Sequence, residues 1–306
     1  MSRLKTVIAF LSVCGFASIL FGCGGAGKGV GPLPVQTPVS ANQPAFSHLI
    51  LVVEENHSYS DVIGNSSMPY FNSLASKYGL ATQYFADAHP SIPNYLMLTT
   101  GLMETLDDNF SGTINDDNVV RELVKAGKTW KAYAESLPSP GYVGADSGVY
   151  LRRHNPVTYL SDVQGSASQA ANIVPFTQFA TDLANNTLPQ YSFITPNTMD
   201  DAHDGTLAQA DSWLQANIGP LISNSEFQNS GLLIITFDEG DQSDISHGGG
   251  QVATLIISSS AKPGFQSKAV YQHQSVLRLV LAASGVNSFP GLAGVAPDMT
   301  EFFTGH

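Results

Sequence analysis

Four stretches of this chain are apolar without alternation, and they constrain the fold more than any other feature. His48–Glu55 reads HLILVVEE, Tyr191–Thr195 reads YSFIT, Leu232–Glu239 reads LLIITFDE and Thr254–Ser258 reads TLIIS. A strand with one wet face alternates apolar and polar residues, whereas an unbroken run suits a strand covered on both faces. Helical spacing lies between the runs, in Phe71, Leu74 and Tyr78, in Phe176, Phe179 and Leu183, and in Leu207, Ala210, Leu214, Ile218 and Leu221. A further pattern, QSVLRLVLAASG, ends on Gly285 as a C-cap. Strands alternating with helices predict an α/β fold with a largely parallel sheet. In such sheets, sites gather at the carboxyl ends of the strands. Two of the runs deliver acids there: Glu54 and Glu55 from the first, Asp238 and Glu239 from the third.

The rest of the chain bounds where this fold works. MSRLK, an apolar stretch and LFGC form a targeting segment, to be kept out of fold reasoning. LFGC resembles a bacterial lipoprotein cleavage box, which implies cleavage after Gly22 and a lipid on Cys23. The alternative is an ordinary signal peptide or a single anchor helix. Residues 23–45 read as a glycine- and proline-rich tether, and residues 46–306 as one catalytic domain. Cys14 and Cys23 are the two cysteines, so no disulfide or thiolate metal site is left in the domain. Loss of residues 1–22 removes Arg3 and Lys5 from 13 basic residues and nothing from 25 acidic ones, which takes the formal charge from −12 to −14. Such a chain is not expected to bind nucleic acid, and its contact with a membrane is expected through the N-terminal lipid alone. The expected location is extracytoplasmic.

Four segments carry the candidate chemistry: VVEENHSYSDVIG, HPSIPNYLMLTTG with Ser91, TPNTMDDAHDG, and TFDEGDQSDISHGGG. Glu55, Asp238 and Glu239 at buried strand ends would repel one another and take up protons unless a cation joins them. An oxygen-rich set that includes Asn56 suits a hard divalent ion. The competing reading is that these acids sit in solvated loops. Ser91 opens a helical segment with Pro93 in the first turn, so it is either an N-cap or a nucleophile held where phosphate is attracted. His203 lies among Asp200, Asp201 and Asp204, and His247 precedes GGG, where backbone can approach a ligand closely. Either histidine could protonate a leaving group. His48, His154 and His306 read as filler, and His57, His89 and His273 stay undecided.

Together, in order and spacing, these four motifs resemble the bacterial and fungal phosphoesterase family of acid phosphatases and phospholipases C, within the alkaline phosphatase-like superfamily. The resemblance runs from about Phe46 to the early 280s. It implies a three-layer αβα sandwich and a phosphoseryl-enzyme mechanism. It places Glu55, Asn56, Ser91, Asp238 and Glu239 on metal ligands, Ser91 on the nucleophile, and Asp201, His203 and His247 near the phosphoryl oxygens and leaving group. Two-zinc members use several histidine ligands; here an Asn and a Glu replace them, which implies one divalent ion, calcium, magnesium, manganese or zinc. Larger phospholipase C members carry an arginine where this chain has His57, and a long C-terminal extension.

The expected activity is therefore an acid phosphatase acting on small phosphate monoesters, with a phospholipase C-type phosphodiesterase as the alternative. Outside the enzymes, a tethered metal-binding or adhesive module would need the acids but not Ser91. A serine esterase is a rival reading, since HGGG occurs, but a Gly-x-Ser-x-Gly elbow does not, and GADSG at Gly144–Gly148 has the wrong spacing. GAGKG in the tether lacks the Gly-Lys-Ser/Thr ending of a nucleotide loop. Ser136–Leu160 is expected to form a rim, with Arg152 or Arg153 reaching substrate.

Overall fold

The computed structural model describes residues 35–304. The targeting segment, Cys23 and the first part of the tether lie outside the described residues. Among the described residues eight strands form one sheet: β1 His48–Glu54, β2 Gly79–Ala81, β3 Trp130–Ala134, β4 Ile173–Pro175, β5 Tyr191–Thr195, β6 Gly231–Phe237, β7 Thr254–Ile257 and β8 Gln266–Ser267. Their order is β4-β3-β5-β1-β6-β7-β2-β8. The first five in that order are mutually parallel. β7 runs antiparallel to both β6 and β2.

The continuous apolar runs become the centre of this sheet. Leu49 to Val53 and Leu232 to Ile235 are buried to within one percent of full burial. Both faces of β1 and β6 are therefore covered. Each such side chain contributes roughly 1.5–3 kcal/mol from apolar burial. Helices Ser91–Thr100, Val119–Lys125 and His273–Ala283 pack on one another, and Pro69–Lys77 packs on Leu207–Trp213. The TLIIS run joins the same sheet as β7 but in the opposite direction, which an apolar run has no means of encoding.

Periodicity misplaced some edges. Leu207 to Leu221 is not one helix: it is α-helical to Trp213, widens into a π turn at Leu214–Ile218, and resumes at Gly219–Ser223. The last part of the tether is docked on the domain. Thr37 donates its N–H to the Gly294 carbonyl at 2.8 Å, and Arg278 Nη2 donates to the carbonyls of Thr37 and Pro38 at 2.9 Å each. The arginine that holds this segment comes from the last long helix, far away in sequence. No helix among the described residues is long and apolar enough to cross a membrane.

Candidate active site

Strand order builds the site. β1 lies between β5 and β6, with Val52 beside Ile194 on one flank and Glu54 beside Phe237 on the other. Three parallel strands thus release their chains side by side. β1 delivers Glu55 and Asn56, β6 delivers Asp238 and Glu239, and β5 leads into the loop that carries Asp201 and His203. Backbone hydrogen bonds continue the ladder past the strands: Glu55 donates to the Asp201 carbonyl at 2.8 Å and Asp238 to the Glu54 carbonyl at 2.9 Å. Asn56 turns the chain with a φ of 55°, a conformation asparagine tolerates well, and its N–H donates to Asp238 Oδ1 at 3.1 Å.

Ser91 completes the cluster from a different direction. It is the first residue of the helix Ser91–Thr100, whose N-cap position is Pro90, and its side chain caps nothing. The N-cap reading is thereby removed. Instead Ser91 Oγ faces Glu55 Oε2 at 3.3 Å, Glu239 Oε1 at 3.4 Å and Asn56 Oδ1 at 3.5 Å. The neighbouring N–H, of Ile92, donates to Asp108 Oδ1 at 3.2 Å. Asn94 fixes the approach: its Oδ1 accepts from the N–H groups of Asp87 and Ala88, and its Nδ2 donates to the Ala88 carbonyl at 2.7 Å. Tyr95, one turn beyond Ser91, donates its hydroxyl to Glu55 Oε1. The helical i,i+4 spacing was the available signal for that contact.

The histidines divide. His203 belongs to the cluster: its N–H donates to Asp201 Oδ1 at 2.8 Å and its Nδ1 lies 2.9 Å from Asp204. His154, read from the sequence as filler, is a correction. It is buried with Nε2 3.3 Å from Glu55 and Nδ1 3.4 Å from Asp201, and its ring stacks on Tyr95. Thr195, the last residue of β5, holds the His154 carbonyl at 3.0 Å. Ligand atoms of Glu55, His154 and His203 all lie within 4.8 Å of one another. His89 also enters, with Nδ1 2.7 Å from Glu239 Oε2 and Nε2 2.9 Å from the Asp244 carbonyl. The carbonyl requires an N–H at Nε2, so a single proton serves the contact between Nδ1 and Glu239. His273 is buried beneath the site, 2.6 Å from the Asp238 carbonyl, and His57 meets Phe237 edge-on.

His247 stands apart. It is exposed, its ring lies over Phe85 at 4.0 Å between centroids, and it makes no hydrogen bond to the cluster. The glycines after it approach protein backbone and not open space for a ligand. A Cβ on Gly248, whose φ is 110°, would lie 2.1 Å from the Asp87 carbonyl, and one on Gly249 would lie 2.4 Å from that of Ala88. The GGG run thus lets this loop press against the segment leading to Ser91.

A sequence model of the phosphoesterase family matches residues 65–287. The chain belongs to the phosphoesterase family. It is similar to phosphatidylinositol-3-phosphatase of Mycobacterium tuberculosis, with 35% identity over 277 residues, 90% of this chain and 88% of that protein. An acid phosphatase of Aspergillus fumigatus is 34% identical over 80% of this chain, which spans 56% of the fungal protein. Non-hemolytic phospholipase C of Pseudomonas aeruginosa is 24% identical, and the match spans 38% of its length. Among solved structures, a protein of the alkaline phosphatase superfamily from Vibrio parahaemolyticus superposes with a TM-score of 0.59 at 13% identity, over 84% of this chain and 71% of that one. The fold is α/β of the alkaline phosphatase type, and the chain is a hydrolase of phosphoric esters.

Electrostatics set this cluster apart from an ordinary acidic loop. Burial pushes the Glu55 carboxyl well above its usual range, and the Asp238 and Asp201 charges add to the shift. Burial, then Glu239, does the same to Asp238. Glu239 is pushed up to about 8, by burial and then by Asp108. Asp201 is pushed up to about 7, chiefly by burial. Burial, with Arg153 and His203 nearby, drives His154 well below the usual imidazole value, so it is neutral. Glu54, wholly buried with both oxygens unpartnered, is pushed up too.

The donor set fits a divalent cation. Asp238 Oδ2 is buried without a partner. The Asn56 amide can face the cluster either way round. With nitrogen inward it donates to Glu55 Oε2 at 3.2 Å and Glu239 Oε1 at 3.0 Å. With oxygen inward it joins Glu55, Glu239 and Ser91 in an all-oxygen set of the kind hard cations prefer. Surface depressions of about 530, 560 and 520 Å³ contain none of these residues. A smaller one of about 250 Å³ is bordered by Asp108, Asp146, Arg152 and Tyr159, and Asp108 also accepts the N–H of Ile92 in the Ser91 helix.

Proposed function

We propose that this phosphoesterase is a divalent-cation-dependent phosphomonoesterase that works through a phosphoserine on Ser91. The observation that carries the reading is Ser91 Oγ itself: buried, outside any cap, and facing Glu55 Oε2 at 3.3 Å and Glu239 Oε1 at 3.4 Å with the Asn56 amide at 3.5 Å. One hydroxyl proton can satisfy one of those acceptors. The arrangement becomes favourable when a cation is shared among them. Glu55, Asn56, Ser91, Asp238 and Glu239 would hold it. When bound it would lower the pKa of the Ser91 hydroxyl and offset charge on the phosphoryl group.

The chain's own groups supply the rest. Ser91 Oγ gives up its proton towards the Glu239–His89 pair and attacks phosphorus in line. The bond to the leaving alcohol breaks, and His203, held by Asp204, donates a proton to the departing oxygen. Water then attacks the phosphoserine from the side the alcohol left, His203 takes its proton, the bond from phosphorus to Ser91 Oγ breaks, and the Glu239–His89 pair returns the first proton to Oγ, so that Ser91 is regenerated with overall retention at phosphorus. His154 and Tyr95 orient Glu55. His247 has no part in this sequence of steps.

The likeness in length and sequence to a protein named phosphatidylinositol-3-phosphatase supports a monoester over a diester substrate, with a lipid-borne phosphate monoester as one candidate. The substrate side is then a small phosphate ester or headgroup, with no nucleic acid. A lipid on Cys23 would keep the domain extracytoplasmic beside a membrane. The test is hydrolysis of p-nitrophenyl phosphate and p-nitrophenylphosphorylcholine by the full chain in detergent, with and without chelator. Chelator-sensitive turnover of the monoester is expected. Turnover of the choline ester alone would replace the reading with a phospholipase C, and turnover indifferent to chelator would remove the cation from it.

A further inference from the structure

The four arginines among the described residues differ in how their donors are used. Arg121 donates to Asp162 at 2.8–3.2 Å. Arg278 donates to four backbone carbonyls. Arg152 lies 4.1 Å over the Tyr159 ring and donates to the Thr158 carbonyl and hydroxyl. Among the described residues Arg153 forms no side-chain hydrogen bond, only two long ion pairs. Its side chain is 18% exposed, its Nε is buried without a partner, and its nearest acids stand at 3.8 Å (Asp108) and 3.5 Å (Asp146). Those separations hold the guanidinium in place without engaging its five donors.

Its position gives the unspent donors a use. Arg153 precedes His154, which touches Glu55 and Asp201. Its charge is felt by His154 and by Asp204, the partner of His203. Asp108, which it faces, uses its other oxygen to accept the N–H of Ile92, the residue after Ser91. A guanidinium one carboxylate away from the nucleophile's own helix turn, with free N–H groups, matches an anionic oxygen in a planar fork.

We infer that Arg153 binds a non-bridging oxygen of the substrate's phosphoryl group and selects monoester dianions over diester monoanions. This rests on the phosphatase reading above. A monoester above its second pKa of about 6 carries two charges and three terminal oxygens, and a diester carries one charge and two. The extra oxygen is the one that needs an extra cation. Arg152, locked on Tyr159, is structural.

The test compares p-nitrophenyl phosphate with bis(p-nitrophenyl) phosphate, which share a leaving group, at pH 7.5. The full chain in detergent is used with divalent cation present, as wild type, Arg153→Gln, Arg153→Lys and Arg152→Gln. Arg153→Gln is expected to lower kcat/KM for the monoester about ten- to a hundredfold, the range of a charge-assisted hydrogen bond, and to leave the diester within about threefold. Arg153→Lys keeps charge and bulk but not the fork; it should fall between, with a raised inhibition constant for inorganic phosphate. Arg152→Gln should leave the monoester-to-diester ratio unchanged. Equal losses on both substrates, or none on the monoester, would overturn the inference while leaving the phosphatase reading intact. Wild type that cleaves only the diester would overturn both. If Arg153→Gln does not fold, the Arg153→Lys ratio and phosphate inhibition decide.

Discussion

Replacing Ser91 with alanine separates a structural serine from a reacting one. An N-cap serine lost to alanine costs about 1 kcal/mol, within a range of roughly 0.5–2. Ser91 occupies the first helical position and caps nothing, so that cost does not arise. What is lost is one hydroxyl hydrogen bond among three long contacts of 3.3–3.5 Å, worth about 0.5–1.5 kcal/mol at normal geometry and less here. Two gains oppose it: alanine has the higher helix propensity by up to about 0.5 kcal/mol, and an oxygen leaves a ring of oxygens. The expected change in unfolding free energy is within about 0.5 kcal/mol of zero, whereas turnover should fall at least about a thousandfold with the nucleophile gone. Urea unfolding followed by circular dichroism, with chelator and at constant pH, reads the first number. p-Nitrophenyl phosphate hydrolysis with cation reads the second. Destabilisation of about 2 kcal/mol with an unchanged denaturant slope would make Ser91 a structural residue. Retained turnover above about a tenth of wild type would refute its role as nucleophile.

Two other predictions test the site's charge. Divalent cation should raise the Tm of wild type by about 5–10 °C at a hundred times its dissociation constant. Asp238→Asn should abolish that rise, while being more stable than wild type in chelator at pH 8 because a carboxyl that burial and Glu239 push up is gone; an undiminished rise, read by differential scanning fluorimetry, would place the cation elsewhere. Away from the cluster, burial pushes the Asp87 carboxyl from 3.8 up to about 7. The folded state therefore keeps a proton that the unfolded chain releases. This contribution is fully present below the unfolded value and is lost as pH rises through about 7. About three units at about 1.4 kcal/mol each give an upper figure on the order of 4 kcal/mol. Asp87→Asn should match wild type near pH 4 and exceed it at pH 8 in chelator; parallel urea midpoints across that range would show that Asp87 does not carry the dependence.

Much of the site was legible because its residues sit at the ends of legible strands. An unbroken apolar run reports burial on both faces, and acids directly after it report a carboxyl end, so the sequence alone groups Glu55, Asp238 and Glu239. Ser91 remained ambiguous, since a serine before a helical segment reads the same as cap or nucleophile. The direction of its Oγ removes the cap reading. His154 had no local signal: its neighbours in the chain are two arginines and an asparagine, and its acids come from β1 and the loop after β5.

By itself, then, the sequence determined the α/β class, the central strands, the family motifs and the excess of acid at the strand ends. Local periodicity and composition depend on contacts within a few residues, and those survive in a one-dimensional reading. Tertiary structure alone decided that β5, β1 and β6 are neighbours, so that Asp201 meets Glu55 and His154 falls between them. It also decided that the glycines after His247 serve a backbone contact, and that Arg153 keeps its donors free while Arg152 spends its own. Each of these depends on which distant segments pack together. Crossover connections fix that, and the cost of burying charge makes the resulting meeting of acids chemically consequential.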